Sequence, residues 1–326
     1  MIAARGEETY DVVVVGGGPA GLTAALYAAR ARRRTLLLEK GLLGGLATST
    51  SEVCNYPGFP EDISGLELMR RFEAQARRHG VEIRNTPVKR LDLAGEDKTV
   101  QTFRTLYHAG AIVLATGGKP RLLGVPGEEG FLYDKGISFC ATCDAALCTG
   151  KTVMVVGSGD AALEEAVFLT RFASKVIVSV RREEGQLRAH PAAREAALAN
   201  PRLELRFGTV VERFEGRERL EVVVLRDLRS GALASVPVDR CFSFIGHDPA
   251  SELFAGQVAL TERGYVRTDA RMRTSLPGVF AAGDVRDTSL RQIATAVGDG
   301  AVAGAEAHRY LEEILLAVAR PGRISG

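Results

Sequence analysis

Short aliphatic runs, most of them closed by glycine, alternate along the chain with longer stretches in which apolar residues recur three or four positions apart. Residues 11–15, 35–38, 111–114, 153–156, 175–180, 241–245 and 278–282 are predominantly apolar, the pattern of parallel strands buried on both faces. Helical periodicity follows several of them. An Ala-rich stretch runs to about residue 33, and further helices are predicted near 161–172 and 291–313. Over residues 65–79, Leu66, Met69, Phe72 and Ala76 share one face, while Arg70, Arg71, Arg77 and Arg78 share the other. That spacing predicts an amphipathic helix whose arginines face solvent. Residues 81–84 read as a strand, and 88–108, 203–207, 209–214 and 220–225 as β-rich segments. Residues 44–60 are rich in turn formers and read as a loop, and 119–130, with Pro120 and Pro126, as a linker. Alternation of strand and helix predicts an α/β chain.

Two of the strand–turn–helix–strand units are copies of one pattern. In the first, Gly16, Gly18 and Gly21 spell GxGxxG, Pro19 and Ala20 lie within it, and Glu39 closes the returning strand with Lys40 after it. This is the dinucleotide fingerprint in its structural setting: a tight turn at Gly16, close approach of a pyrophosphate at Gly18, and helix–strand packing at Gly21. The helix N-terminus attracts the phosphate, and Glu39 accepts from a ribose hydroxyl. In the second copy Gly157, Gly159 and Ala162 replace the glycines, with Asp160 and Ala161 between. Glu39 lies 18 residues after Gly21; the same offset from Ala162 lands on Val180, followed by Arg181 and Arg182. Loss of the ribose carboxylate and gain of cations favours a ribose carrying a 2′-phosphate, hence NADP(H), with Arg188 as a further candidate. Glu183 and Glu184 would offset part of that charge.

A length of 326 residues suggests two domains. Hydrophobic residues make up 46% and charged residues 25%, as in ordinary globular proteins. A net charge of +2 gives no electrostatic case for nucleic acid or an anionic membrane. The N-terminal residues lack a signal-peptide hydrophobic region, and no apolar run is long enough to span a bilayer. Five cysteines form no dense disulfide framework, which points to a reducing compartment and a cytoplasmic protein. The histidines show no metal-ligand spacing, so no metal site is expected.

Cys140 and Cys143 stand three apart between the two nucleotide patterns, with Asp144 next. Thiols at this spacing can close a small disulfide ring on the first turn of a helix, and a helix N-terminus favours a thiolate over a thiol of pKa about 8.5. Zinc is the competing reading, but it needs a second Cys or His pair that Cys54 and Cys241 do not supply. A dithiol between two nucleotide motifs suggests electrons passing from one nucleotide to another and on to a disulfide. Cys148 is expected to be a small buried residue, and His247 a structural one.

Taken together, these residues resemble the low-molecular-weight thioredoxin reductases of the flavoprotein disulfide reductase superfamily, from Asp11 to about Glu313. The resemblance rests on Gly16–Leu22, the Gly44-Gly45 loop reaching Asn55, Ala115-Thr116-Gly117-Gly118, Cys140–Asp144, Gly157–Ala166, Arg181-Arg182, and Gly283-Asp284 with Arg291, Gln292 and Ile293. It implies two Rossmann-like, three-layer domains, the second inserted into the first. FAD would be bound by a discontinuous domain of residues 1–119 and 249–326, and NADPH by residues 120–248, which also carry the redox pair. FAD contacts would include Gly45, Asn55, Ala115, Thr116, Asp284, Arg291 and Gln292. Cys143 would face the flavin, Cys140 would attack the disulfide of thioredoxin or a similar protein, and Asp144 would manage protons. A homodimer and a domain rotation are implied as well. The chain departs from the family at Val180, where His is frequent, at Leu46, where Gln is common, and in the spacing from Arg182 to Arg188. Relatives with degraded nucleotide sites take electrons from ferredoxin, and a flavin-dependent dithiol oxidase would run the flow in reverse; both are alternative readings.

Overall fold

The strand Gly6–Val15 extends the apolar run of residues 11–15 by a polar half, and pairs in parallel with Thr105–Leu114 along its whole length, from Gly6 opposite Thr105 to Val15 opposite Leu114. Side chains tie down that polar half. Tyr10 is buried and donates to Glu82 at 2.7 Å, and Arg84 reaches both oxygens of Glu8 at 2.7 and 2.8 Å. The computed structural model describes residues 6–50, 52–187 and 189–318. The chain forms two units, one reaching Lys119 and resuming at Asp248, the other spanning Pro120–His247.

The first unit is built on a seven-stranded sheet. Glu82–Asn85, Thr35–Glu39, Gly6–Val15 and Thr105–Leu114 lie side by side in parallel, and Val279–Ala281 also pairs in parallel with Thr105–Leu114. Lys98–Gln101 and Arg90–Asp92 continue the sheet as antiparallel strands. One face is covered by the helices Pro19–Arg30, Gly65–Arg78 and Ile293–Val318. The other is closed by Phe254, Val258, Val266 and Val285, so this layer is built from short 3₁₀ turns and extended chain rather than α-helix. Glycines set the spacing on the helical side: a Cβ at Gly300 or Gly304 would lie 2.3 Å from the carbonyl oxygen of Ala20 or Ala24. The two helices therefore pack backbone to backbone.

The second unit holds a five-stranded parallel sheet in the order Leu203–Phe207, Lys175–Val180, Thr152–Val156, Arg240–Ser243 and Ile137–Ser138. The helices Asp160–Leu169 and Pro191–Leu198 cover one face, and a three-stranded antiparallel sheet of Thr209–Gly216, Leu220–Asp227 and Leu233–Pro237 covers the other. The helix Pro191–Leu198 and the strand Leu233–Pro237 carry no clear periodic signal. The helix buries only Ala193 and Ala197, and the strand only Val236, so small residues and an exposed edge leave little pattern to read. Among the described residues no helix is long and apolar enough to cross a membrane.

Candidate active site

The first glycine motif folds as a turn whose shape excludes side chains. Gly16 has φ +108°, and a Cβ there would lie 2.2 Å from the carbonyl oxygen of Ala115; one at Gly21 would lie 1.9 Å from that of Gly16. Gly18 meets nothing within 4 Å, leaving its backbone open to a ligand. The helix beginning at Pro19 has no side-chain cap and no acid in its first turn, so its leading amides face outward unneutralised. Glu39 is held at the adjacent strand end by the Gly17 amide at 2.7 Å and the Gly41 amide at 2.8 Å. Gly17 is no part of the GxGxxG fingerprint, although its position between Gly16 and Gly18 is a clue to its role. A Cβ there would strike Leu43 at 2.6 Å and Glu39 at 3.1 Å. Lys40 is exposed beside the carboxylate.

Distant segments of the same unit complete this cradle. Gly45 has φ +58°, and a Cβ on it would lie 3.4 Å from the Gly18 Cα. Leu46 next to it is exposed. Asn55 donates from Nδ2 to Gln292 Oε1 at 3.0 Å. Thr116 donates to the Ala250 carbonyl at 2.6 Å, and Gly117, at φ +66°, accepts from the Ala250 amide at 2.9 Å. Gly283, at φ +76°, would place a Cβ 2.8 Å from the Cβ of Ala20. Asp299 fixes that turn by accepting from the Gly283 amide at 3.1 Å while paired with Arg286 at 3.1 Å. No spacing rule marks Asp299, which acts from the second turn of the last helix. Burial raises the Asp284 carboxyl to a pKa of about 6, with Arg291 opposing the shift and Asp299 adding to it. The Arg291 guanidinium lies 4.7 Å from the centroid of the Tyr265 ring, and its buried Nε has no hydrogen-bond partner. Ile293 opens the last helix and packs against the core. Open backbone, an uncapped helix start, a desolvated carboxyl and an orphaned guanidine nitrogen fit a dinucleotide's pyrophosphate and polar chain.

In the second unit Cys140 and Cys143 form a disulfide with a Cα–Cα distance of 5.3 Å. Cys140 caps the short helix Ala141–Asp144, its sulfur accepting from the Cys143 amide at 3.1 Å, and the Cys140 amide donates to Ser138 Oγ at 3.1 Å. Asp144 stands 3.8 Å from the largely buried guanidinium of Arg240. Cys148 is buried and donates to the Asp144 carbonyl at 3.4 Å; burial pushes its thiol up to about 11 and raises that of Cys241 as well. Both are thus kept as neutral, structural thiols. Cys54 is exposed. Among the described residues no group of three or more His, Cys, Asp or Glu side chains is placed to hold a metal ion.

The second glycine motif lies in the same unit. Gly157 has φ +145°, and a Cβ there would lie 2.7 Å from the Phe244 carbonyl and 2.8 Å from the Ala162 Cβ. Ala162 is therefore accommodated where the first copy needs glycine. Gly159 meets nothing within 4 Å, and the helix beginning at Asp160 has no side-chain cap. Asp160 accepts from the His190 amide at 2.5 Å, and Ala161 is exposed in the first turn. Val180 is buried at the end of its strand, with Arg181 exposed and Arg182 partly exposed beyond it. Arg188 lies outside the described residues.

The sequence matches the family described as Pyridine nucleotide-disulphide oxidoreductase over residues 10–300. The chain belongs to that family. It is 42% identical over 312 residues to the thioredoxin reductase of Peptoclostridium acidaminophilum, covering 94% of this chain and 98% of that one. It is 44% identical over 308 residues to the thioredoxin reductase of Mycolicibacterium smegmatis, with coverage of 94% and 98%. The crystal structure of thioredoxin reductase from Streptococcus pyogenes MGAS5005 superposes with a TM-score of 0.87 at 40% identity, covering 94% of this chain and 99% of that one. Membership of the pyridine nucleotide-disulphide oxidoreductases makes the chain an oxidoreductase that uses flavin and a pyridine nucleotide. The Cys140–Cys143 pair is its candidate redox disulfide.

Proposed function

We propose that the protein is an NADPH-dependent thioredoxin-disulfide reductase that carries electrons through FAD to the Cys140–Cys143 disulfide and on to thioredoxin or a thioredoxin-like protein. The observation that carries the reading is the disulfide of the second unit, set in the same unit as a glycine motif whose strand ends in Arg181 and Arg182. FAD would be held in the first unit. The amides at the Pro19 helix start would bind its pyrophosphate, and Glu39 a ribose hydroxyl. Asp284, Arg291, Gln292 and Asn55 would contact its polar chain and ring, with Gly45, Ala115, Thr116 and Ile293 lining the bed. NADPH would lie along Gly157, Gly159 and Ala161, with its 2′-phosphate on the two arginines. A bound flavin supplies acceptance of a hydride and release of two electrons.

This chain's own residues perform the rest. Two electrons and a proton open the disulfide, leaving Cys140 as the thiol and Cys143, the sulfur facing the donor, as the thiolate; a second proton, taken from solvent, completes the dithiol that the partner carries away. Cys140 attacks one sulfur of the partner disulfide, that S–S bond breaks, and a mixed disulfide forms. Cys143 then attacks Cys140, re-forming the internal disulfide and releasing the partner as a dithiol. Asp144, four residues from Cys140 on the same turn, supplies and takes the proton. A homodimer in the cytoplasm completes the proposal.

The test is an anaerobic titration of flavin-loaded protein with NADPH and, separately, with NADH, following flavin absorbance. Bleaching at far lower NADPH than NADH, followed by reduction of thioredoxin, is expected. No bleaching by either nucleotide, with dithionite still effective, would move the donor to a ferredoxin-like protein.

Asp284 offers a second check. Its folded-state pKa of about 6 lies above the unfolded value of 3.8, so the flavin-free fold binds its proton more tightly than the unfolded chain does. Stability of the flavin-free protein therefore falls as pH rises from about 4 to about 6, and the full cost is present above that. Asp284→Asn should stabilise flavin-free protein at pH 7 by on the order of 2–3 kcal/mol, with the gain vanishing below about pH 4. Denaturant unfolding at the two pH values measures it, and the same variant should hold FAD less tightly.

A further inference from the structure

Glu183 follows Arg181 and Arg182 directly, so a carboxylate stands at the strand end where the 2′-phosphate is proposed to lie. An unpaired carboxylate there would repel the phosphate and offset one of the two arginines. The topology of the second unit brings a third cation to the same corner. Val180 is in register with Phe207 on the neighbouring parallel strand, and the next residue, Gly208, donates its amide to the Arg182 carbonyl at 3.1 Å. Thr209 then starts an antiparallel pair in which it faces Asp227, and the Leu228 amide donates back to the Gly208 carbonyl at 2.8 Å. The turn that follows Asp227 is thereby returned to the end of the Arg181–Arg182 strand.

Arg229 sits in that turn and reaches Glu183, 46 residues earlier, with two bonds: Nε to Oε1 at 3.1 Å and a terminal nitrogen to Oε2 at 2.7 Å. The turn that presents it is locked. One oxygen of Asp227 accepts from the Arg229 amide at 3.0 Å, the Ser230 amide at 2.7 Å and the Ser230 hydroxyl at 2.8 Å. Gly208 has φ +63°, a backbone conformation that favours glycine, and a Cβ on it would meet Glu183 Oε1 at an ordinary contact distance of 3.5 Å. The pair is exposed, with 77% of the Arg229 side chain and 43% of the Glu183 side chain open to solvent. A pair so exposed contributes little to folding. Its effect on a charged ligand is another matter, because both oxygens of the carboxylate are occupied by a fork-shaped cation.

We propose that Arg229 is a specificity-determining residue for the 2′-phosphate: by engaging both oxygens of Glu183 it cancels the carboxylate that follows Arg181 and Arg182 directly. The inference rests on the NADPH reading and names a residue that the motif does not contain.

Steady-state kinetics of the flavin-loaded enzyme with NADPH and with NADH tests it, using Arg229→Ala, Glu183→Gln, the double variant, and Arg181→Ala/Arg182→Ala as control. Arg229→Ala is expected to raise KM for NADPH about three- to tenfold at low ionic strength, with kcat and KM for NADH unchanged. The increase should shrink toward unity as salt approaches about 0.5 M. Adding Glu183→Gln should restore KM, because the carboxylate that Arg229 engages is then gone. An unchanged NADPH-to-NADH preference in Arg229→Ala overturns the proposal, and so does an increase that persists with Glu183→Gln. If the control also leaves the preference unchanged, the NADPH reading itself fails and takes this inference with it. If only the control changes it, the reading stands and Arg229 has no part in it.

Discussion

Cys140→Ser is expected to lower thioredoxin reduction by on the order of 10³-fold or more, while reduction of the bound flavin by NADPH keeps its rate. The two halves of the reaction separate because Cys140 is proposed to act only after electrons have reached the dithiol. Cys143→Ser should be equally inactive in turnover but should behave differently as a trap. Its remaining Cys140 thiolate attacks the thioredoxin sulfur of the mixed disulfide between a single-cysteine thioredoxin and thionitrobenzoate, breaking that S–S bond. One thionitrobenzoate is released and one mixed disulfide forms, with no Cys143 to resolve it. Cys140→Ser should yield no such adduct on Cys143; an adduct on the exposed Cys54 would be common to both variants and is told apart by its position. Mass spectrometry of the non-reduced products reads the outcome. An adduct from Cys140→Ser but none from Cys143→Ser would exchange the proposed roles, and adducts from both would leave no distinct attacking thiol. Neither change should unfold the unit, because the disulfide closes a loop of only four residues and its short helix is also tied by the Ser138 and Cys148 hydrogen bonds.

The second large effect concerns nucleotide choice. Replacing Arg181 and Arg182 together by Ala should raise KM for NADPH about 100-fold, with kcat nearly unchanged and KM for NADH hardly altered. Each charge-assisted hydrogen bond to phosphate contributes about 1.5–3 kcal/mol, and a loss of about 3 kcal/mol in total corresponds to roughly two decades in affinity. Binding of the 2′-phosphate and reaction of the nicotinamide take place at opposite ends of NADPH, so the loss should fall on KM rather than kcat. Stopped-flow flavin reduction over a range of NADPH concentrations measures both. An equal fall in kcat for both nucleotides would point instead to a displaced glycine turn.

Most of this chemistry was legible in the sequence because it depends on local backbone geometry. GxGxxG marks a turn in which Gly16 takes a positive φ and Gly21 has no room for a Cβ, and those requirements hold whatever surrounds the turn. The Cys140–Cys143 spacing is likewise local, and the structure joins the two sulfurs on one turn of helix. The buried parallel strands were visible as aliphatic runs because both their faces are covered. Where one face or one end is polar the signal faded. The polar half of Gly6–Val15 is held by the Tyr10, Glu8 and Arg84 network rather than by apolar burial, and the helix Pro191–Leu198 buries only two alanines.

By itself, then, the chain determined which turns suit a nucleotide, which thiols pair and which strand end bears cations, since each is set within a few residues. Tertiary structure alone decided which distant groups meet. Asp299 reaches the Gly283 turn from the last helix, Asn55 meets Gln292 across 237 positions, and Arg229 arrives at Glu183 through two strand registers. Such partners follow no sequence spacing. They are fixed by the order of strands and by the packing of glycine-thinned helices, which bring together residues that no local pattern relates.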